Sequence, residues 1–220
     1  MNAFNPNELK HLYTPPAGSH KGQNGKLMII GGSHLFHAAS IWALQIASKI
    51  VDMVFYSSVA ENNQLIHELK KEFHGGIVVP RGDIEAYIKE AEVILIGPGM
   101  VRTEKRLDPV EDYQLKNMAE LDHIEDEGIQ TYYLTKYLLA KYPEKKWIID
   151  AGALQMMEPE WLLPLQGRVI VTPHQQEFER VFGKADASEI AKKYNCIILL
   201  KGEKDSVCSP ELSVEISGGN

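Results

Sequence analysis

The 220-residue chain is poor in cysteine, in basic charge and in long apolar runs, and each shortage closes off a class of function. Cys196, in the apolar run Cys196-Ile197-Ile198-Leu199-Leu200, and Cys208, in a short turn-rich stretch, are the only two cysteines. They have neither metal-ligand spacing nor the pattern of a disulfide framework, so plain structural roles are expected. Lys and Arg number 23 against 30 Asp and Glu, a formal charge of −7. Nothing general therefore attracts the chain to nucleic acid or to an anionic membrane, and any phosphate binding has to be local. No apolar run approaches the roughly 20 residues that span a bilayer, and the N-terminus MNAFNPNELKHLYTPP lacks a signal-peptide core. A cytoplasmic protein acting on a small soluble ligand is expected. No internal repeat and no linker divides the sequence, so one domain over residues 1–220 is expected.

What is present is a succession of short continuous apolar runs, the pattern of strands buried on both faces of a parallel sheet. They are Leu27–Ile30, Met53–Tyr56, Ile77–Val79, Val93–Ile96, Trp147–Ile149, Val169–Val171 and Ile197–Leu200. Helical stretches lie between them, at Ala38–Ile50, Asn63–Phe73, Ile84–Glu90, Ile129–Lys141, Glu177–Phe182 and Ala187–Lys193. Strand alternating with helix predicts an α/β fold with a mostly parallel central sheet and helices on both faces. Gly183 suits a C-cap, and Asp186 or Ser188 an N-cap. Nine acidic residues between Thr103 and Gly128 read as a solvated excursion.

Ligands of open α/β sheets bind at the carboxyl ends of the strands, and several strand ends here carry glycine or a polar group. Gly31-Gly32-Ser33 and Gly97-Pro98-Gly99 offer backbone that a ligand or another chain segment can approach closely, although each is equally a tight turn. Gly31-Gly32-Ser33, with the Lys21–Gly25 loop before it, fits neither G-x-G-x-x-G nor G-x-x-x-x-G-K-[ST]. Asp150, before Ala151-Gly152-Ala153, can hold a hydroxyl or hydrated Mg²⁺, or can cap the next segment. In Thr172-Pro173-His174-Gln175-Gln176-Glu177, His174 and Glu177 stand three positions apart and can face one ligand; Glu177 also suits a helix N-terminus. Lys201, in Leu200-Lys201-Gly202-Glu203-Lys204-Asp205, can donate to a phosphate or ring acceptor, or can be a snorkelling surface lysine.

In order, SHKGQNG, IIGGS, IGPG, DAGAL, TPHQQEF and LLKGEKD resemble the ADP/ATP-dependent NAD(P)H-hydrate dehydratases of the ribokinase-like superfamily, over about Ser19 to Asn220. The resemblance implies a three-layer sandwich, a homo-oligomer, often a tetramer, and a repair reaction. In that reaction ADP or ATP, with Mg²⁺, serves to phosphorylate and eliminate the hydroxyl of (6S)-NADHX or NADPHX. It places Ala39, Gly99 and His174 against the hydrated nicotinamide nucleotide. Lys201, Gly202, Glu203, Lys204, Asp205 and Asn220 fall to the adenine nucleotide, and Asp150 and Glu177 organise phosphate and Mg²⁺ without a direct metal cage. Three features depart from the family pattern: Met100-Val101 stands for Leu-Gly, Gln175-Gln176 for Pro-Gly, and residues 103–128 look inserted. The family's Gly-Asp loop, which supplies the anion hole and the catalytic aspartate, would follow Asn220. A C-terminally truncated domain is therefore expected, without its last helices, with one apolar sheet face exposed and with little activity of its own. A small-molecule kinase of the same superfamily and an inactive nucleotide-binding module are the alternatives.

Overall fold

The computed structural model describes residues 2–71, 74–104, 115 and 117–217. Its ten strands are β1 (Asn2–Ala3), β2 (Lys26–Ile30), β3 (Met53–Ser57), β4 (Ile77–Val78), β5 (Val93–Ile96), β6 (Lys146–Ile149), β7 (Val169–Val171), β8 (Ile197–Leu200), β9 (Lys204–Cys208) and β10 (Ser213–Ser217). They form one sheet in the order β1-β10-β9-β8-β7-β6-β5-β2-β3-β4. All pairings from β4 through to β8 are parallel, and β9 pairs antiparallel with both β8 and β10. The helices are α1 (Ala38–Ala47), α2 (Ala60–Leu69), α3 (Ile84–Glu90), α4 (Glu127–Lys141), α5 (Ala151–Met156), α6 (Gln175–Phe182) and α7 (Ala187–Tyr194).

Side chains alternate across the sheet, so register decides which helices each strand meets. Ile30, Ile96, Ile149, Val171, Ile198 and Cys208 are aligned neighbours and share a core with Ile84, Leu134, Leu154, Phe178 and Ile190 of α3 to α7. Ile29, Leu95, Ile148, Ile170 and Ile197 form the ladder on the opposite face. There α1 and α2 bring Ile41, Leu44 and Ile66 over Ile29, Val54 and Tyr56. Full burial of a side chain such as Leu44 or Ile66 stabilises by about 1.5–3 kcal/mol. Ile148, Ile170 and Ile197 are only half-buried and belong to neither cluster, so this face is apolar beyond the reach of α1 and α2. Trp42, Ile46 and Ile50 also expose an apolar stripe. No described helix is long and apolar enough to cross a membrane.

Several expectations need correction. Cys208 lies in a strand, not a turn-rich stretch, and is fully buried. The strands β9 and β10 escape a search for continuous apolar runs because KDSVC and SVEIS carry polar side chains at exposed and half-buried positions. The second helix begins at Ala60 and not Asn63, and the first ends at Ala47 and not Ile50. The acidic stretch is not solvated throughout: Leu115, Met118 and Leu121 enter the larger core, and Asp126 caps α4 through the Gly128 and Ile129 amides at 2.9 and 3.1 Å. Residues 105–114 and 116 of that stretch lie outside the described residues. Gly183 ends α6 at φ 74°, and of the two candidate caps Asp186 receives the first amides of α7. Burial pushes the Cys196 thiol up to about 12, which leaves it protonated and unreactive at neutral pH.

The strand-end glycines prove to be sites of backbone-on-backbone packing. Gly32 N–H donates to Pro98 O at 2.7 Å, and a β-carbon on Gly31 would lie 2.4 Å from that oxygen. Gly97 has φ 118°, and a β-carbon there would lie 1.8 Å from Asp150 O. Gly97→Ala combines that overlap with a conformation L-residues avoid, and is expected to destabilise the fold by about 3 kcal/mol or more. Urea unfolding measures it; a loss under about 1 kcal/mol, the ordinary scale for a point mutation, would show that the loops can move apart.

Candidate functional site

The order in which strands join the sheet reverses at β2, which has β3 on one side and β5 on the other, both parallel to it. The switch point therefore lies between Gly31-Gly32 after β2 and Gly97-Pro98-Gly99 after β5, where open α/β sheets place their ligand crevice. Two groups of polar residues flank it at the carboxyl edge.

The first spans the ends of β6, β7 and β8. Asp150 leaves β6, and its Oδ1 accepts from Thr172 Oγ1 at 2.8 Å and from Lys201 Nζ at 3.0 Å, tying three consecutive strands together. Its side chain makes no capping hydrogen bond to α5, so the cap reading of Asp150 fails. Asp150 Oδ2 forms no hydrogen bond among the described residues. The next residue, Ala151, has φ 44°, a left-handed conformation that fixes how the chain leaves the aspartate. For Glu177 the cap reading holds. Its amide donates to His174 Nδ1 at 3.2 Å, and its Oε2 accepts the His174 amide at 2.9 Å, a complete capping box. Because Nδ1 accepts, the imidazole proton resides on Nε2, on a side chain that is half exposed. Glu177 itself is buried, and its Oε1 receives Gln155 Nε2 at 2.8 Å. Gln155 is in turn hydrogen-bonded by Arg102, which pairs with Glu104; Arg180 holds Glu104 through two bonds of 2.9 and 2.8 Å.

Lys201 to Glu203 forms the turn from β8 into β9, which Lys204 and Asp205 begin. Asp205 closes it by accepting the Gly202 amide at 3.0 Å, and Lys201 N–H bonds Pro173 O at 2.8 Å, laying the turn beside His174. Lys204 points along the sheet to Glu215, 3.1 Å away, and Glu203 is exposed. Asn220 lies outside the described residues.

The second group surrounds a cleft of about 680 Å³ at the ends of β3 and β4, lined by His34, Ser58, Glu61, His67, Arg81 and Gln130 among others. His34 stands between Glu127 (Nδ1, 2.9 Å) and Glu61 (Nε2, 3.2 Å), and only an imidazolium donates to both. Glu127 holds its pKa above the ordinary histidine value, with Glu61 acting in the same direction. The cleft contains none of Asp150, His174 or Lys201. Gly99 lies against Gly32 and Phe36 at the switch point, and Ala39 is exposed in the first turn of α1. From β2 to β7 is three strand spacings, about 14 Å, so Ala39 and Gly99 meet His174 only through a ligand long enough to span the edge. The Lys21–Gly25 loop lies at the opposite edge of the sheet, where Asp52 receives the Gly22 and Asn24 amides at 2.9 and 3.1 Å. Sequence reasoning assigned no role to Thr172 or Gln155. Thr172 could have been found from its place directly after β7, whereas nothing in the sequence marks Gln155.

The mostly parallel α/β sheet carries its polar residues at one edge, and solved ribokinase-like structures share the fold. A ribokinase-like superfamily protein from Enterococcus faecalis superposes with a TM-score of 0.76 at 19% identity, covering 100% of this chain and 72% of that one. An ADP/ATP-dependent NAD(P)H-hydrate dehydratase from Bacillus subtilis, co-crystallised with ATP/Mg²⁺, gives 0.66 at 20% identity over 100% and 73%. Residues 27–218 match the NAD(P)H-hydrate dehydratase family model, and the chain belongs to that family. A bifunctional NAD(P)H-hydrate repair enzyme of Methanocaldococcus jannaschii is 30% identical over 91% of this chain, which spans 36% of that protein. An ADP-dependent (S)-NAD(P)H-hydrate dehydratase of Nitrosopumilus maritimus is 27% identical over 90% of this chain and 66% of its own length.

The His34 clamp has a defined pH dependence. Its folded pKa is raised, so the stability it contributes is complete below the unfolded value near 6.5 and is lost as pH rises through the folded value. NMR titration should place His34 above 6.5, and Glu127→Gln should bring it back toward that value. Titration at or below 6.5 in the unmodified protein would mean that the clamp does not form in solution.

Proposed function

We propose that the chain binds (6S)-NADHX or NADPHX along the carboxyl edge and uses ADP or ATP to return it to the working cofactor. The observation that carries this reading is the Asp150–Thr172–Lys201 cluster. It brings three strand ends of the family pattern into one hydrogen-bonded unit beside His174. The adenine nucleotide lies along the β8–β9 turn, where Lys201 is positioned for a charge-assisted bond to phosphate. The hydrate lies between the switch point and His174, whose Nε2–H can donate to it. The hydroxyl oxygen takes the terminal phosphoryl group as its bond to the nucleotide breaks, so that ADP leaves as AMP, or ATP as ADP, and the hydroxyl proton is released. Elimination then breaks that C–O bond, releases phosphate and restores the ring double bond as the neighbouring carbon loses a proton.

Among the described residues no group of three or more His, Cys, Asp or Glu forms a metal cage. The donors present nevertheless suit Mg²⁺, which is commonly held by one or two carboxylates together with substrate phosphates and water. Asp150 Oδ2 and, through water, Glu177 would hold it. Bound there, the ion would neutralise charge on the phosphates. We assign no base among Asp150, Glu177 and Asp205, because each already accepts hydrogen bonds that fix the local fold.

Recovery of NADH absorbance from its hydrate, dependent on ADP or ATP, tests the activity, and calorimetric titration tests the two binding regions separately. Lys201→Ala should weaken adenine-nucleotide binding by about 1.5–3 kcal/mol, the usual worth of a hydrogen bond to a charged group. Hydrate affinity should stay unchanged. Unaltered ADP and ATP affinities would remove Lys201 from the site.

A further inference from the structure

Among the described residues one buried side-chain polar atom lacks a hydrogen-bond partner, the hydroxyl of Ser57. Ser57 is the last residue of β3, fully buried and aligned with Ile30 across the pair. It lines a chamber of about 10 Å³ that also touches Gly31 and Gly32 at the switch point. That volume holds a single water-sized group. Ser58 and Arg81 line both this chamber and the 680 Å³ cleft, so the chamber forms a recess at the cleft's inner edge.

A buried hydroxyl without a partner costs about 1–3 kcal/mol of desolvation, so its persistence at a ligand crevice points to a partner supplied from outside. The remaining walls specify that partner. Ile30, Ile84, Met100 and Leu134 are apolar and buried, so most of the wall offers an ionised group nothing in place of its hydration. Arg81 directs Nη1 to Gln130 Oε1 at 2.7 Å. A water-sized uncharged hydrogen-bonding group therefore fits the recess, and a phosphate is too large for it.

We propose that Ser57 is a substrate-binding residue, its hydroxyl hydrogen-bonding one uncharged hydroxyl group of the hydrated nicotinamide nucleotide, the single water-sized group that this recess admits. The assignment rests on the function proposed above and adds to it a contact on the far side of the switch point from His174. The ligand is thereby held at both ends of the edge.

The test titrates the wild-type chain and Ser57→Ala with NADHX in the absence of nucleotide, and with ADP as an internal control. The assignment expects hydrate Kd to rise about 3- to 10-fold, the range for one net hydrogen bond, with ADP affinity unchanged. Ser57→Val, which fills the recess, should weaken the hydrate further and still leave ADP binding intact. Unchanged hydrate affinity in Ser57→Ala overturns the assignment. If the melting temperature of that variant also falls, the hydroxyl instead serves a structural water. Parallel loss of both affinities overturns it too, because the effect is then global. Wild-type protein that does not bind NADHX removes the functional reading and the assignment together, whereas wild-type binding with an unaffected variant removes the assignment alone.

Discussion

Close contact between backbone segments at the carboxyl edge constrains everything else in this molecule. The exit of β2 packs on Pro98, the exit of β5 on Asp150, and Gly152 on Met100, where a β-carbon would come within 2.2 Å of the carbonyl oxygen. Gly128 at the start of α4 closes on Thr103 in the same way. Each glycine thus sets the position of the next loop. Their chain of contacts fixes where Gly99, Asp150 and the switch point lie relative to one another. A site built on rigid, mutually supported strand ends holds its polar groups without the reorganisation that a loose loop would require.

Hydrogen bonds continue what the backbone contacts begin. Asp150 reaches across to β7 and β8, and the β8–β9 turn is fastened to Pro173 and closed by Asp205. A second chain runs from Arg180 through Glu104 and Arg102 to Gln155 and Glu177, linking the segment after β5 to α5 and α6. Beneath the Gly31–Ser33 loop, Asn62 donates to Ser33 O and Ser58 Oγ at 3.0 Å each, and Ser40 meets the buried Tyr56 hydroxyl at 2.9 Å. These buried groups have their partners, which is what separates them from Ser57.

The parallel strands were legible because burial on both faces demands unbroken apolar runs, and VILI or IILL admits no other reading at that length. Strands β9 and β10 were not, since their partly exposed faces tolerate Lys204, Asp205 and Glu215. The glycines announced close approach but not of what. In the structure, those at the ends of β2 and β5 meet neighbouring backbone, information that resides in the tertiary arrangement alone. His174 and Glu177 show the same limit. Their three-residue spacing serves a cap and a ligand equally well, and only the bonds to both Glu177 oxygens reveal that the carboxylate is anchored in the cap. Asp150 went the other way, because its side chain reaches two strands that the sequence sets 22 and 51 residues distant.

The proposed function asks one edge to serve two ligands, and the arrangement divides that edge accordingly. The 680 Å³ cleft and its recess lie on the β3–β4 side of the switch point, and the lysine-bearing turn on the β7–β8 side. Between them stand β5 and β6, whose exits are the most tightly packed part of the edge. Charge is divided in the same way. On the β8 side Lys201 is held at Asp150, a pairing that keeps a cation ready for phosphate while neutralising it in the free protein. On the cleft side Glu61 and Glu127 surround His34, and Arg81 donates to Gln130. In the proposed function a long, partly uncharged nucleotide crosses the edge from the recess to His174, and the phosphates of a second nucleotide go to the lysine end. Segregation of this kind follows from which strand ends carry which side chains, and it needs no movement of the sheet.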